Sequence, residues 1–313
     1  MRLSRFNINS ILITAVAVVL SLGCGQSAIT GSPVDGGKTS DDGFKAVAAG
    51  GLHSLALRSD GSLAAWGHNG YRQCDVPGGN DFVGITAGGY HNLALKSDGS
   101  VVAWGRNEYG QCDVPAGNNF VAIRASYWHS LALKSDGSLV AWGRNNCGQC
   151  DVPDGNDFTA VAAGLCHSLA IKSDGSVVAW GRSDYGQCDV PADGDFAAVA
   201  AGGLHSLVLR SDGSVAACGQ NIYGQCDIPG GSNFVAIAAG YGHSLALKSD
   251  GSLSAWGCDS FNTHGQCAVP AGNDFVSITA GSWHCLALKS DSSVIGWGQN
   301  HYGQCNVPAG TCR

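Results

Sequence analysis

Apolar positions along this chain recur in short alternating runs, not in helical stripes. In residues 234–257, FVAIAAGYGHSLALKSDGSLSAWG, small and β-branched residues at 235–239 close on Gly240, an apolar segment follows at 243–248, and Asp250-Gly251 separates it from a third at 253–256. Runs of four to six residues bounded by glycine predict strands, and Asp-Gly between two of them predicts a type I′ hairpin with positive φ at both central residues. A GQC-x-V/I-P segment ends the block and predicts a fourth strand. No room is left for a helix.

The block repeats. Phe44, Phe82, Phe120, Phe158, Phe196, Phe234 and Phe275 are spaced by 38 residues, except that the last interval carries a three-residue insertion within 258–263. One small sheet cannot bury both of its faces, so the units must stack on each other. Seven units of about 40 residues predict an all-β chain, folded over residues 44–313 as a seven-bladed β-propeller. An open solenoid is the alternative, but it calls for atypical capping repeats, and neither end has one. A wedge-shaped blade is narrowest at the axis, which predicts the Ala-Ala-Gly runs there and Trp and Phe in the wider parts.

Composition supports strands: glutamate occurs once, at Glu108, and methionine once, at Met1, among 313 residues of which 47 are glycine. The first residues differ from the rest. Arg2 and Arg5 precede an apolar stretch at 11–22 that is too short for an ordinary membrane span. Residues 1–23 are expected to be an export signal. Its end, Leu22-Gly23-Cys24, is similar to the bacterial lipoprotein pattern, so Cys24 is the expected lipid attachment site and the protein is expected in the cell envelope; a plain secretory signal is the alternative. Residues 24–43 then form a flexible linker.

Candidate chemistry is sparse. His53, His91, His129, His167, His205, His243 and His284 occupy one position in every unit, which spreads them around a ring, whereas metal ligands must converge. No metal site or cofactor is expected. The recurrent aspartates suit turns. No paired carboxylates, nucleophile elbow or phosphate loop stand out, so no catalytic residue is assigned and the chain is not expected to be an enzyme. Departures from the repeat are more informative. The slot before the repeated histidine holds Leu52, Tyr90, Trp128, Cys166, Leu204, Gly242 and Trp283, with Tyr127 and Tyr241 one place earlier. These aromatics serve either as anchors for a partner or as packing between blades. Arg106, Arg144 and Arg182 give one sector a basic edge, which either meets the same partner or forms a solvated rim.

The run G-x-x-H-S-L-A-L-K-S-D-G-S-V-V-A-W-G, followed by N-x-Y-G-Q, resembles the repeat of the regulator of chromosome condensation family over residues 44–312. The resemblance implies a seven-bladed propeller. In repeat style, the GQ-x-x-V-P ending is similar to exported bacterial β-lactamase inhibitory proteins of type II, which implies binding of an enzyme through a loop-rich face. Eukaryotic members exchange nucleotide on a small GTPase and bind chromatin, but a net charge of -7 offers no footprint for nucleic acid. The expected function is therefore a lipid-anchored, non-catalytic propeller that binds an extracytoplasmic protein, with inhibition as its narrower form; a carbohydrate-binding or structural envelope propeller is the alternative.

Cys147-Gly-Gln-Cys150 has the spacing of a redox motif, but Cys150 is a repeat position and Cys147 replaces a repeated tyrosine in a turn. Without a helix N-terminus to activate the thiol, catalysis is not expected there. Local disulfides between Cys147 and Cys150, Cys258 and Cys267, or Cys305 and Cys312 are the structural options in an oxidising compartment.

Overall fold

The computed structural model describes residues 43–258 and 264–308. The expected export signal, Cys24, the linker up to residue 42 and Cys312 lie outside the described residues. Seven antiparallel sheets follow one another, each of three strands in sequence order. Blade 3 is typical, with an inner strand Phe120–Ala125, a middle strand His129–Lys134 and an outer strand Leu139–Gly143. The inner strands pack side by side around the axis, and that of blade 1 meets that of blade 7, so the ring is closed. They line a central channel with their Ala and Gly runs, as the volume of a wedge requires.

Middle strands are buried on both faces because each blade is sandwiched between two others. Their sequence His-Ser-Leu-Ala-Leu sorts itself by size. In blade 1, Leu57 packs with Phe82 and Ala94 of blade 2, while Ala56 receives Leu286 and Leu288 of blade 7. Large side chains on one face thus meet small ones on the next blade, which lets identical units stack without voids.

Two local expectations need correction. The Asp-Gly hairpins are three-residue loops: Gly61 N–H donates to the Arg58 carbonyl at 3.0 Å, and positive φ occurs at Gly61 (87°) but not at Asp60. This is a type I turn closed by a left-handed residue, and Asp60 stabilises it by accepting from the Ser62 backbone N–H at 2.8 Å. Blade 7 places Ser292 in the same left-handed conformation, at φ 66°.

The predicted fourth strand is also absent from the described blades. GQC-x-V/I-P instead forms a turn that latches onto the following blade. The Gln111 carbonyl, at the end of unit 2, accepts from Ser130 Oγ (2.9 Å) and Trp142 Nε1 (2.9 Å) of blade 3. The same latch closes the circle, since the Gln304 carbonyl accepts from Ser54 Oγ and Trp66 Nε1, both at 2.8 Å. A carbonyl committed to indole and hydroxyl donors leaves its segment outside any strand ladder.

Candidate functional site

The repeated histidines build the ring beneath the candidate face. Each is fully buried, and its Nε2 reaches the next blade: His53 to Asn92 Oδ1 (2.8 Å), His91 to Ser130 Oγ (3.0 Å), and so on to His284, which reaches Ser54 Oγ (3.0 Å). The serine proton is already donated to a glutamine carbonyl, so Nε2 must carry the hydrogen. Burial holds these histidines neutral, with pKa values of about 4 at His53 and about 3 at His91, His129 and His284. Glycine before the turn makes room for the ring: a Cβ at Gly240 would lie 2.2 Å from His243 Cε1. Blade 3 has Ser126 there, bonded to His129 Nδ1 at 2.7 Å. Among the described residues, no group of three His, Cys, Asp or Glu could hold a metal ion.

Above this ring, the loops before each middle strand and after each outer strand share one face, because the Tyr90 carbonyl accepts from Arg106 N–H at 2.9 Å. Aromatic side chains gather there across blades. Tyr90 lies 5.3 Å from Tyr71 and 6.3 Å from Trp128, ring centroid to ring centroid, and Trp128 lies 5.5 Å from Tyr109. The Arg106 guanidinium sits 4.7 Å from the Trp128 ring centroid and 4.9 Å from that of Tyr71. A second group joins Tyr241 to Trp283 at 5.3 Å. The structure therefore brings Tyr90, Trp128 and Arg106 into one cluster, in which each ring is half-buried and Tyr71 and Tyr109 remain exposed.

Tyr127 is placed differently. It spans the channel mouth, with its hydroxyl 2.6 Å from Ser282 Oγ of blade 7 and its ring 5.9 Å from Tyr241. Burial raises its pKa well above the ordinary value. Tyr127 thus closes over the channel as well as belonging to the loop face, and Tyr241 packs against it.

The basic edge is narrower than the arginine count suggests. Arg106 is ion-paired with Glu108, and Arg182 Nε with Asp184 at 2.6 Å. Arg144 stacks on Tyr109, 5.2 Å from its centroid, and forms no carboxylate pair among the described residues. The acidic partners sit two residues along, in a loop slot where unit 3 has Asn146.

Of the expected disulfides, Cys258 and Cys267 are bridged, with their Cα atoms 6.3 Å apart, whereas Cys147, Cys150 and Cys305 are free thiols. Cys150 Sγ faces the Arg144 carbonyl at 3.4 Å, as its repeat counterpart Cys112 faces Arg106, and burial pushes its pKa up to about 12. Cys147 turns the other way: its thiol lies 3.8 Å from Asn146 Oδ1 and neighbours the thiol of buried Cys166. These two cysteines occupy the slots where Tyr71 meets Tyr90 and Tyr109 meets Trp128. Exchange with a small disulfide reagent is therefore expected to link Cys147 to Cys166, releasing two equivalents of reagent thiol. Peptide mapping checks this, and a Cys147–Cys150 link would contradict it.

One further departure from the repeat lies on an inner strand. Arg124 occupies the inward position that is Ala48, Thr86, Ala162, Ala200, Ala238 and Thr279 in the other blades. A charge at an otherwise small inner-strand position was the available signal.

The comparisons agree with this architecture. The regulator of chromosome condensation (RCC1) repeat matches at residues 44–73, 82–111, 120–149, 158–187, 196–225, 234–266 and 275–304. No curated protein matches the chain significantly in sequence. Among solved structures, the chain is similar to the CRINKLY WD40 ectodomain of the Arabidopsis thaliana receptor kinase ACR4, with TM-score 0.68 and 20% identity over 82% of this chain and 97% of that one. It is similar to Saccharomyces cerevisiae Prp20p, a structure described with its binding to Gsp1p and histones, with TM-score 0.65 and 20% identity over 83% of each chain. Human WBSCR16 gives TM-score 0.66 and 19% identity over 81% of this chain and 86% of that one. At these identities the likeness to solved structures is one of fold. The seven matched repeats, each coinciding with one blade of the closed ring, place this chain in the regulator of chromosome condensation repeat family.

Proposed function

We propose that this chain is a protein-binding propeller that docks a partner on its loop face, around Arg106 and the rings of Tyr71, Tyr90 and Trp128. The observation that carries this reading is the clustering of rings from adjacent blades around one guanidinium, 4.7 Å from Trp128 and 4.9 Å from Tyr71. Tyr, Trp and Arg are the residue types that dominate binding hot spots, and a rigid framework spares them much ordering entropy. Arg144 adds an uncompensated positive charge beside the cluster. The structural neighbour Prp20p binds proteins, which supports the same use of the scaffold. In the full reading the chain is exported, held at a membrane through Cys24, and meets an extracytoplasmic partner, with inhibition of an enzyme as its narrowest form. These finer points rest on the first 24 residues and on the repeat style.

Crosslinking capture from the cell envelope tests the proposal. A stoichiometric protein partner should be held by the wild type and by the opposite-face variant Asp154→Ala. Trp128→Ala should weaken it by about thirtyfold or more, the size of a hot-spot loss of about 2 kcal/mol. Equal capture by all three, or specific glycan binding with no protein partner, would overturn it. Metabolic labelling with palmitate, lost in Cys24→Ser, checks the anchor.

A further inference from the structure

The central channel has a volume of about 480 Å³, the size of a small-molecule site. Its walls are the alanines, glycines and β-branched residues of the seven inner strands. Arg124 is the single charged residue among the residues that line it. Its Nη1 donates to the Ile123 carbonyl at 2.9 Å, and no carboxylate pairs with it among the described residues. A charge turned into such a cavity is unfavourable unless something answers it. Burial lowers the Arg124 pKa, but a guanidinium stays protonated at neutral pH.

Two neighbouring features define what would answer it. Thr86, at the equivalent position of blade 2, accepts the Ala125 N–H at 3.2 Å, which leaves its hydroxyl hydrogen free to donate into the channel beside Arg124. At the loop face, Tyr127 bonded to Ser282 and packed on Tyr241 forms a lid over the same compartment. The site thus combines one fork-shaped cation, a hydroxyl donor and apolar walls from Ala, Val and Ile side chains. A single cation matches a single negative charge, and apolar walls match a hydrocarbon portion. We propose that the channel binds a small organic monocarboxylate, its carboxylate on the Arg124 guanidinium and its hydrocarbon part against the Ala and Ile side chains of the inner strands.

Isothermal titration at constant ionic strength, with sodium acetate, hexanoate and sulfate as probes, tests this. Hexanoate is expected to bind with one-to-one stoichiometry and more tightly than acetate, and both more tightly than sulfate. Arg124→Gln should weaken hexanoate at least tenfold, and Arg124→Lys should retain part of the affinity. Undiminished binding by Arg124→Gln, no binding to the wild type, or sulfate binding tightest would each overturn the proposal. If Arg124→Gln does not fold, crystals of the wild type with 4-bromobutyrate decide. An anomalous bromine peak in the channel, with its carboxylate on Arg124, supports the assignment, and its absence from the channel overturns it.

Discussion

Lowering the pH from 7.5 to 5.5 is expected to weaken the propeller by about 1.4 kcal/mol per ring histidine, from the proton uptake of an unfolded imidazole. The folded pKa values are about 4 at His53, His167 and His243 and about 3 at His91, His129, His205 and His284, against an ordinary 6.5. Above pH 6.5 both states are neutral and the stability is fully present. Below it the unfolded chain binds protons that the folded chain refuses, so stability falls until the pH reaches the folded values. At pH 5.5 the loss scarcely depends on how low those values are. For all seven the effect is on the order of 10 kcal/mol, comparable with the whole stability of a typical domain.

Six of the seven Nδ1 atoms lack a partner, and His129 Nδ1 is occupied by Ser126, so a second ring proton has nowhere to go. Urea unfolding at pH 7.5, 6.5 and 5.5 measures this. The slope near pH 5.5 should correspond to uptake of at least five protons, and a slope of two or fewer would remove the ring from the account. The turn aspartates act in a separate window. Bonds from Ser100 and its counterparts lower carboxylate pKa values such as that of Asp98, so their contribution is present above pH 3.8 and lost as the pH falls further.

Trp142→Ala is expected to cost about 3 to 5 kcal/mol, the range for a buried tryptophan. The indole is 8% exposed, packs on the Ala132 side of blade 3 with Phe120, Ile123 and with Leu93 and Leu95 of blade 2, and donates to the Gln111 carbonyl at 2.9 Å. Removing it empties space between two blades and leaves that carbonyl with Ser130 as its remaining donor. Trp142→Phe, which keeps most of the volume, should cost about 1 to 2 kcal/mol and so separates the hydrogen bond from packing. Equilibrium unfolding in urea checks both, and a loss below 1 kcal/mol for Trp142→Ala would show that the latch is not structural. Blade 5 has Cys218 in this position, whose thiol lies 3.6 Å from the Gln187 carbonyl. The latch therefore survives there with a weaker donor.

The loop-face cluster was only half legible before the fold was known. Tyr90, Trp128 and Arg106 stood out because they depart from a repeat, and a departure is visible in any aligned set of units. Tyr71 and Tyr109 did not, since they are repeat residues themselves. Their role at the cluster comes from position: Tyr71 belongs to blade 1 but meets Tyr90 of blade 2. Cys147 shows the same limit, as its neighbour is not Cys150, three residues away, but Cys166 in the next blade.

By itself the sequence determined most of the unit: a 38-residue period, three of the four strands it predicted, and the place, though not the type, of the turn between the middle and outer ones. Each of these depends on contacts a few residues apart, which alternation and glycine placement record directly. Tertiary structure decided how units meet. The Leu face of one middle strand against the Ala face of the next, the glutamine latch 19 and 31 residues from its donors, the closure of Gln304 onto Ser54 and the projection of Arg124 into the channel all depend on stacking. Seven nearly identical units carry the same local pattern whether they form an open stack or a ring. Only the accumulated rotation between blades brings the last against the first, encloses an axis, and sets the side chains that face it apart from their repeat equivalents.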